Sequence, residues 1–509
     1  MNLEKLQNGS DIRGIAISTE EYKANLTTKE VKEIAKGAVS WFRSKNEDNN
    51  SKYLAGDLLV GIGRDSRITG PTLKDALVES FIQQGVNVID FGLATTPAMF
   101  MATQFEEFDC DFTIMLTASH LPYYFNGLKF FDKTGGAEKS DIKEILSSTS
   151  AENSNGKTGV VEEADLLTPY AKDMVEKIIT GAGGNEKPLA GLKVIVDAGN
   201  GAGGFFAEKV VKELGGDITG SQFLEPDGTF PNHIPNPDNK EAMEAIKSAV
   251  LNNKADLGII FDTDVDRSAL VTATGDLLNR NNLIAVLSHI VLDEYPHTSI
   301  VTNSPTSSHL KTFIESLGGK QVRYISGYRN VINKAIDLNS EGVETHLAIE
   351  TSGHAAFKEN YFLDDGAYVV AKIFMLLPKL TEEGRSLSDL IENLNQPSEV
   401  QEVRFKLEDD DYRKLGERVI LDIDNADVSG FKIDTANHEG IRFNTSGKYG
   451  SGWFLLRMSL HEPLLVLQVE NDEPGKVKLV LEDLKPFFDQ YPNVNKEKLN
   501  EVLLELNGN

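Results

Sequence analysis

Cysteine is almost absent from this chain of 509 residues, which holds only Cys110. A lone cysteine excludes an internal disulfide. No stretch approaches the roughly 18 uninterrupted apolar residues that a membrane helix needs. The opening residues, MNLEKLQNGS, also lack the apolar core of a signal peptide. These absences predict a cytoplasmic protein that does not cross a membrane.

Basic residues are scarce relative to acidic ones, with 51 Lys and Arg against 78 Asp and Glu and a formal charge of -27. Such a charge repels nucleic acid and anionic membrane surfaces at long range, so neither is predicted as a partner. An anionic substrate would need a locally basic pocket. The hydrophobic content of 40% is ordinary for a soluble globular protein, and the length exceeds that of one hydrophobic core.

Three apolar segments run straight into loops rich in polar residues. They are predicted strands at residues 111–116, 255–261 and 346–349. Each is preceded by another short strand and a helical pattern, at 58–62 and 73–84, 192–196 and 205–214, and 299–301 and 310–317. Strand, helix, strand order favours parallel sheets covered by helices, and such sheets bind ligands beyond the carboxyl ends of their strands.

The pattern changes after about residue 400, where strands and a terminal amphipathic segment follow without a fourth copy of the unit. We therefore predict an α/β fold of three similar α/β/α domains with mixed, mainly parallel sheets, plus a smaller C-terminal α+β domain, around a central cleft. The predicted domains are 1–165, 166–278, 279–398 and 399–509.

The first loop, Thr117-Ala118-Ser119-His120, offers a hydroxyl at a strand end, where a nucleophile would be open to a cleft. Lys129 follows shortly after and could neutralise phosphate oxygens or move a proton at a sugar hydroxyl. In isolation, a turn serine and a solvated surface lysine are the commoner interpretations.

The second loop carries Asp262, Asp264 and Asp266 at alternating positions, which points three carboxylates to one side of an extended segment. A calcium EF-hand is excluded because its required glycine and acid are replaced by Arg267 and Ala273. Three hard oxygen ligands with positions left for a phosphate oxygen suit Mg²⁺, with Arg267 beside it. A solvated acidic turn is the alternative.

The remaining loops suit sugar and phosphate recognition. Glu350 and Ser352 can bind vicinal sugar hydroxyls, although Glu350 could equally cap a helix. Arg457 and Ser459 could cradle a phosphate dianion, although Arg457 could instead stack on Trp453. Two further arginines are weaker candidates for phosphate contacts, and they are Arg329 and Arg13.

In the four loops taken together, the chain resembles the α-D-phosphohexomutase superfamily of phosphoglucomutase, phosphomannomutase and phosphoglucosamine mutase. The family motifs read Thr-Ala-Ser-His-Asn-Pro, Asp-Gly-Asp-Gly-Asp-Arg, Gly-Glu-x-Ser-Gly-His and Arg-Pro-Ser-Gly-Thr-Glu-Pro. The resemblance implies Mg²⁺, a hexose 1,6-bisphosphate intermediate that also serves as activator, and conversion of hexose 1-phosphate into hexose 6-phosphate, with glucose or mannose as the sugar.

The resemblance also implies a role for each matching residue. Ser119 would carry the phosphoryl group and join the three aspartates as a metal ligand. The catalytic set would be Ser119, Lys129, His120, Arg13 and Arg267. The set that binds the substrate, a small-molecule sugar phosphate, would be Glu350, Ser352, His354, Arg329, Arg457 and Ser459.

The sequence departs from the family pattern at six positions. Leu460 and His461 replace Gly-Thr, Val466 replaces a second arginine of many members, Leu121 replaces Asn, and Thr263 and Val265 replace two glycines. The altered phosphate loop keeps open a non-catalytic or regulatory sugar-phosphate-binding paralogue. Phosphoglucosamine mutase and hexose bisphosphate synthase activities also stay open, and the sequence does not indicate an oligomeric state.

Overall fold

The computed structural model describes residues 2–46, 58–148, 156–424, 429–460 and 462–508. The chain divides into two compact units. The first comprises Met1–Leu283 with Ser352–Asp389, and the second comprises Ile284–Thr351 with Leu390–Asn509. His461, one of the departures from the family pattern, lies outside the described residues.

The first sheet belongs to the first unit. Its strands are β1 (Gln7–Asn8), β2 (Asp11–Ile15), β3 (Leu59–Arg64), β4 (Asn87–Leu93), β5 (Phe112–Leu116), β6 (Phe125–Asp132), β7 (Gly135–Gly136) and β8 (Val161–Glu163). Their order is β1-β2-β6-β5-β3-β4-β8, with β7 paired to β6. β3 is parallel to β4 and β5, whereas β6 is antiparallel to β5 and β2. The carboxyl ends of β2, β3 and β5 therefore lie at the same edge.

Helices cover both faces of this sheet. They are α1 (Thr28–Lys45), α2 (Gly70–Gln83), α3 (Thr96–Met101) and α4 (Lys139–Ser147). Alternate residues of β3, β5 and β6 pack with α1, α2 and α4 in a buried core that includes Trp41, Phe81 and Phe112. On the opposite face, Thr113 Oγ1 donates to Met99 O of α3 at 2.7 Å. All five residues of β5 are buried, as a sheet covered on both faces requires.

The second sheet also belongs to the first unit. Its strands are β9 (Val194–Asp197), β10 (Leu257–Phe261), β11 (Ser268–Thr272) and β12 (Leu277–Leu278), in the order β12-β11-β10-β9. Its helices are α5 (Leu167–Gly181) and α6 (Lys240–Asn253), and the predicted helix at 205–214 contains a π-helical turn at Ala207–Val211. β9 and β10 are parallel, and β10 turns back into the antiparallel β11.

The second unit begins within α7 (Arg280–Glu294) and continues through β13 (Ser299–Asn303), α8 (Ser308–Ser316), β14 (Lys320–Tyr324), α9 (Tyr328–Ser340) and β15 (Thr345–Ile349). β13 is parallel to both β14 and β15. The chain then returns to the first unit through the antiparallel pair β16 (Ala355–Phe357) and β17 (Leu363–Asp364) and helix α10 (Gly366–Glu382).

The C-terminal region completes the second unit as an antiparallel sheet with helices. Its strands are β18 (Glu399–Lys406), β19 (Phe431–Ile433), β20 (Ile441–Thr445), β21 (Gly452–Met458) and β22 (Leu464–Asn471), in the order β18-β22-β21-β20-β19. Its helices are α11 (Tyr412–Asp424), α12 (Lys476–Phe488) and α13 (Glu497–Gly508). This region confirms the predicted C-terminal α+β fold, and the mixed sheets confirm the predicted α/β class upstream of it.

Within the described ranges, no helix is both long enough and apolar enough to cross a membrane.

Candidate active site

The serine loop follows β5 and holds Ser119 in an uncommon backbone conformation. Its φ of 51° lies in the left-handed region, which a side chain other than glycine occupies only when its surroundings hold it there. Ser119 N donates to Thr117 Oγ1 at 3.0 Å, and the residue is only 3% exposed. The turn directs Ser119 Oγ towards the second sheet, where it donates to Asp262 Oδ2 at 3.3 Å.

The aspartate loop connects β10 to β11, and its three aspartates are buried together. One oxygen from each of Asp262, Asp264 and Asp266 lies within 4.8 Å of the others. Within the described part of the chain, Asp264 Oδ1 and Asp266 Oδ1 have no hydrogen-bond partner. Buried carboxylate oxygens without partners are unfavourable unless a cation occupies the space they face. Hard oxygen ligands of this kind fit Mg²⁺.

Two buried cations, Lys129 and Arg267, neutralise part of this charge. Lys129 Nζ lies 2.5 Å from Asp266 Oδ2 and 3.2 Å from Asp264 Oδ2. Arg267 Nε donates to Asp262 Oδ2 at 3.1 Å, and its Nη2 donates to Ser119 Oγ at 2.9 Å. The hydroxyl, the carboxylates and both cations therefore form one connected cluster.

Burial and neighbouring charge set the protonation of the cluster. Burial, together with the charges of Asp266 and Asp264, raises the pKa of Asp262 well above its usual value. Burial also opposes ionisation of Asp266, but the charges of Lys129, His354 and Arg267 outweigh it and lower the pKa of Asp266. Three carboxylates beside two cations thus leave one carboxyl that ionises poorly unless another cation is present.

Two histidines flank the cluster with opposite properties. Burial and the charge of Arg267 lower the pKa of His120 well below its usual value, and its Nδ1 lies 2.8 Å from Arg267 Nη2. Burial opposes protonation of His354 as well, but the charges of Asp364 and Asp266 outweigh it and raise the pKa of His354. His354 Nδ1 lies 2.5 Å from Asp364 Oδ2. Because the pKa of His120 is lowered, its ring is uncharged at neutral pH.

The structure places two other predicted residues in the same unit. Arg13 Nη1 donates to Ala118 O at 3.1 Å, and its Nη2 pairs with Asp11. Arg13 thus supports the serine loop through its backbone. Ser352 Oγ is buried and, among the described residues, has no hydrogen-bond partner.

The four remaining predicted residues lie in the second unit. Glu350 Oε1 accepts from Gly327 N at 2.7 Å, and Gly327 lies two residues before Arg329. Arg457 Nη1 lies 3.7 Å from Glu439 Oε1, and Glu439 also accepts from Ser326 N and Oγ. Ser459 N pairs with Leu464 O. Glu439, which sequence reasoning missed, therefore connects the loop after β14 to the end of β21.

Sequence reasoning also missed three residues of the first unit that support the cluster. Thr96 Oγ1 donates to Asp264 Oδ2, and Thr96 N donates to Asp264 O. Asn236 Oδ1 accepts from Arg267 Nη1 at 3.2 Å. Arg67 donates to four backbone carbonyls of the serine loop. The signal for Arg67 was its position just after β3, at the same sheet edge as the serine loop.

Comparisons with known proteins agree with this fold. Models of the phosphoglucomutase/phosphomannomutase α/β/α domains I, II and III match residues 4–156, 168–275 and 279–397. A phosphomannomutase/phosphoglucomutase of Pseudomonas putida is 30% identical over 84% of this chain and 86% of its own length. A phosphoglucomutase of Neisseria meningitidis is 30% identical over 86% and 89%.

A solved structure of a phosphoglucomutase/phosphomannomutase family protein from Burkholderia thailandensis is also similar. It superposes with a TM-score of 0.78 at 25% identity, covering 97% of this chain and 99% of that one.

The fold and these family matches define an intramolecular phosphotransferase. More narrowly, the chain belongs to the phosphoglucomutase/phosphomannomutase family of the α-D-phosphohexomutase superfamily. It is a phosphohexomutase, an isomerase that moves a phosphoryl group within a hexose phosphate. The predicted family and enzyme class are thereby confirmed.

Proposed function

We propose that this chain interconverts hexose 1-phosphate and hexose 6-phosphate, with glucose or mannose as the sugar, through a phosphoserine at Ser119. One observation carries the proposal: Ser119 Oγ lies 3.3 Å from Asp262 Oδ2 and 2.9 Å from Arg267 Nη2, beside carboxylate oxygens suited to a cation. A hydroxyl in that position can hold a phosphoryl group whose charge is neutralised on two sides.

The three aspartates would hold Mg²⁺, with one oxygen of the Ser119 phosphate as a further ligand. The ion would supply charge stabilisation to the transferring phosphoryl group. The fit rests on the donors: two buried carboxylate oxygens of Asp264 and Asp266 have no hydrogen-bond partner within the described residues. Arg267 adds a fixed cation on the Ser119 side of the site.

The first transfer breaks the bond from Ser119 Oγ to phosphorus and forms one from the attacking sugar oxygen to phosphorus, so the sugar hydroxyl loses a proton and Ser119 Oγ gains one. The second transfer, from the reoriented bisphosphate, breaks the bond between its other sugar oxygen and phosphorus and forms one from Ser119 Oγ to phosphorus, so the proton returns from Ser119 Oγ to that sugar oxygen. His120 Nδ1 is occupied by Arg267, which leaves the uncharged ring as a donor through Nε2. We assign the proton transfer to Lys129, and we assign His120 to a phosphate oxygen.

Recognition of the rest of the substrate falls to the other predicted residues. Arg457, Ser459 and Arg329 would bind the phosphate that is not reacting. Glu350, Ser352 and His354 would bind sugar hydroxyls in either orientation of the bisphosphate, which must turn over between the two transfers. Hexose 1,6-bisphosphate would therefore form as the intermediate. It would also act as the activator by phosphorylating Ser119 when that residue carries no phosphate.

The test is intact-mass spectrometry of purified protein incubated with glucose 1,6-bisphosphate and Mg²⁺, followed by a coupled assay on glucose, mannose, glucosamine and ribose 1-phosphates. We expect one added phosphate, its loss on adding glucose 6-phosphate, and turnover of the glucose or mannose substrate. A protein that never accepts the phosphate would contradict the proposal and favour the non-catalytic sugar-phosphate binder suggested by the departures at Leu460 and Val466.

A further inference from the structure

Arg67 is fully buried, at 0% exposure, in the turn that follows β3. Its Nη2 donates to Ser119 O at 2.5 Å and to Leu121 O at 2.7 Å. Its Nη1 donates to Pro122 O at 2.8 Å and to Phe125 O at 3.0 Å. A single guanidinium thus binds backbone carbonyls along the whole serine loop, from Ser119 to the start of β6.

The Arg67 guanidinium is also held by residues outside the serine loop. Arg67 Nε lies 3.4 Å from Asp65 Oδ2, and Asp65 Oδ1 accepts from Arg67 N at 2.9 Å. Phe230 packs against the guanidinium with its ring centroid 5.3 Å away. Because Nη1 and Nη2 each donate to two carbonyls and the group is buried beside Asp65 and Phe230, Arg67 has little freedom to move.

The loop that Arg67 holds needs such support. Ser119 takes a left-handed conformation, with a φ of 51°, which costs about 1 kcal/mol or more for a side chain other than glycine. Carbonyls that turn inward in such a loop require donors, since unpaired buried carbonyls are unfavourable. Arg67 supplies four of those donors from one side chain.

We propose that Arg67 is the positioning residue of the phosphoserine loop, holding Ser119 Oγ in line with Asp262 and Arg267. Arg67 acts on the serine loop only through the backbone, because its hydrogen bonds to that loop are to carbonyl oxygens and its side chain is buried. This role rests on the proposed function of Ser119, and it predicts a loss of transfer rate that is not accompanied by a loss of metal affinity.

The experiment compares the wild-type protein with Arg67→Lys, which keeps the charge but replaces the planar five-donor fork with a single ammonium. Glucose 1,6-bisphosphate is the phosphoryl donor, and mass spectrometry follows the rate of Ser119 phosphorylation. We expect that rate to fall about a hundredfold, the effect of roughly 1 Å of misplacement. The affinity for Mn²⁺ should stay within about threefold, an allowance of about 0.7 kcal/mol.

The matched control is Arg442→Lys, since Arg442 is also buried, at 1% exposure, and donates to the backbone carbonyls of Ser304 and Thr306. It is expected to lose stability yet keep the phosphorylation rate within about twofold, a change under about 0.5 kcal/mol. An equal loss in the control, or a rate in Arg67→Lys within about threefold of wild type, would overturn the proposal.

Hydrogen exchange provides a readout that does not depend on activity. In Arg67→Lys the amides of residues 117–126 should exchange faster, while those of β10 should not change. Unchanged exchange in 117–126 would also overturn the proposal. If Arg67→Lys does not fold, the double variant Asp65→Asn/Arg67→Gln, which removes both buried charges, takes its place with the same expected results.

The two proposals can fail separately. If the wild-type protein never becomes phosphorylated, the proposed function of Ser119 fails, and the exchange of the serine-loop amides alone decides the role of Arg67.

Discussion

Ser119 combines its proposed chemical role with an unusual backbone conformation, and two substitutions separate the two features. Ser119→Ala and Ser119→Gly both remove the hydroxyl, and both should lower mutase turnover by on the order of a thousandfold or more. Glycine tolerates the φ of 51°, so Ser119→Gly should be more stable than Ser119→Ala by about 1 kcal/mol.

Coupled assays and urea unfolding measure the two effects. Substantial turnover in either variant would remove Ser119 from the mechanism, and equal stabilities would show that the left-handed conformation is not strained.

Asp365 predicts a pH dependence of stability. It is buried at the start of α10, where it accepts from Tyr170 Oη and Tyr368 N, and burial raises its pKa from 3.8 to about 6. A raised pKa means that the folded protein binds the proton more tightly than the unfolded chain. The stabilising contribution is therefore complete below pH 3.8 and is lost as the pH rises through about 6.

Asp365→Asn keeps the acceptor without the charge. Its stability relative to wild type should rise by about 2 kcal/mol between pH 4 and pH 7, as measured by urea unfolding at several pH values. If the difference in free energy of unfolding between wild type and variant does not change with pH, the raised pKa of Asp365 is contradicted.

At the scale of elements, α10 begins against the aspartate loop. Gly366 N donates to Val265 O at 3.0 Å, and Ser268 Oγ donates to Gly366 O at 2.9 Å. A Cβ on Gly366 would lie 2.6 Å from the carbonyl carbon of Arg267 and 2.8 Å from Val265 O. Since these are backbone atoms, the loop itself would have to move.

Gly366→Ala should therefore destabilise the protein by about 1–3 kcal/mol and weaken Mn²⁺ binding by about tenfold. Calorimetric titration checks the affinity. The control is Gly70→Ala at the start of α2, where the added methyl meets only the flexible Arg64 side chain, with its nearest atom 3.0 Å away. Equal metal affinity in Gly366→Ala and wild type would show that α10 does not fix the aspartate loop.

The order of elements could be predicted from sequence because apolar runs of strand length alternate with helical patterns, as in β5, β10 and β15. The positions of the serine, aspartate and glutamate loops could be predicted because their residues follow strands directly. Val265 shows the limit of such reasoning. Its φ of 66° is a conformation that β-branched residues avoid, and only the surrounding packing makes it possible.

The partners in hydrogen bonds made at long sequence separation could not be predicted either, although the position of Arg67 just after β3 was a signal. Arg67 lies 52 residues before Ser119, and Asn236 lies 31 residues before Arg267. Periodicity and spacing describe local structure, whereas these hydrogen bonds depend on the register of β3 against β5 and on the path of loops over the sheet. Glu439 was missed for the same reason, because nothing near it in the chain indicates its contacts with Ser326 and Arg457.

At the scale of the whole molecule, the two compact units predict separable unfolding. All three aspartates belong to the first unit, so Mg²⁺ should stabilise that unit alone. At one hundred times the dissociation constant the stabilisation is about 2.7 kcal/mol. Calorimetry should show two transitions, of which only one shifts with Mg²⁺.

Asp264→Asn provides the control, since it should abolish the shift while leaving the other transition unchanged. A single cooperative transition, or a shift of both, would contradict independent units.

The first unit is built from two separated stretches, residues up to Leu283 and Ser352–Asp389. During translation, a nascent chain that has reached β12 has made every aspartate of the cluster but neither His354 nor the first turn of α10. The ribosome must produce the inserted segment Ile284–Thr351 before the earlier stretch can form its contacts with Ser352–Asp389. Synthesis that stops early would therefore release a chain with the proposed nucleophile present and its aspartate loop unsupported.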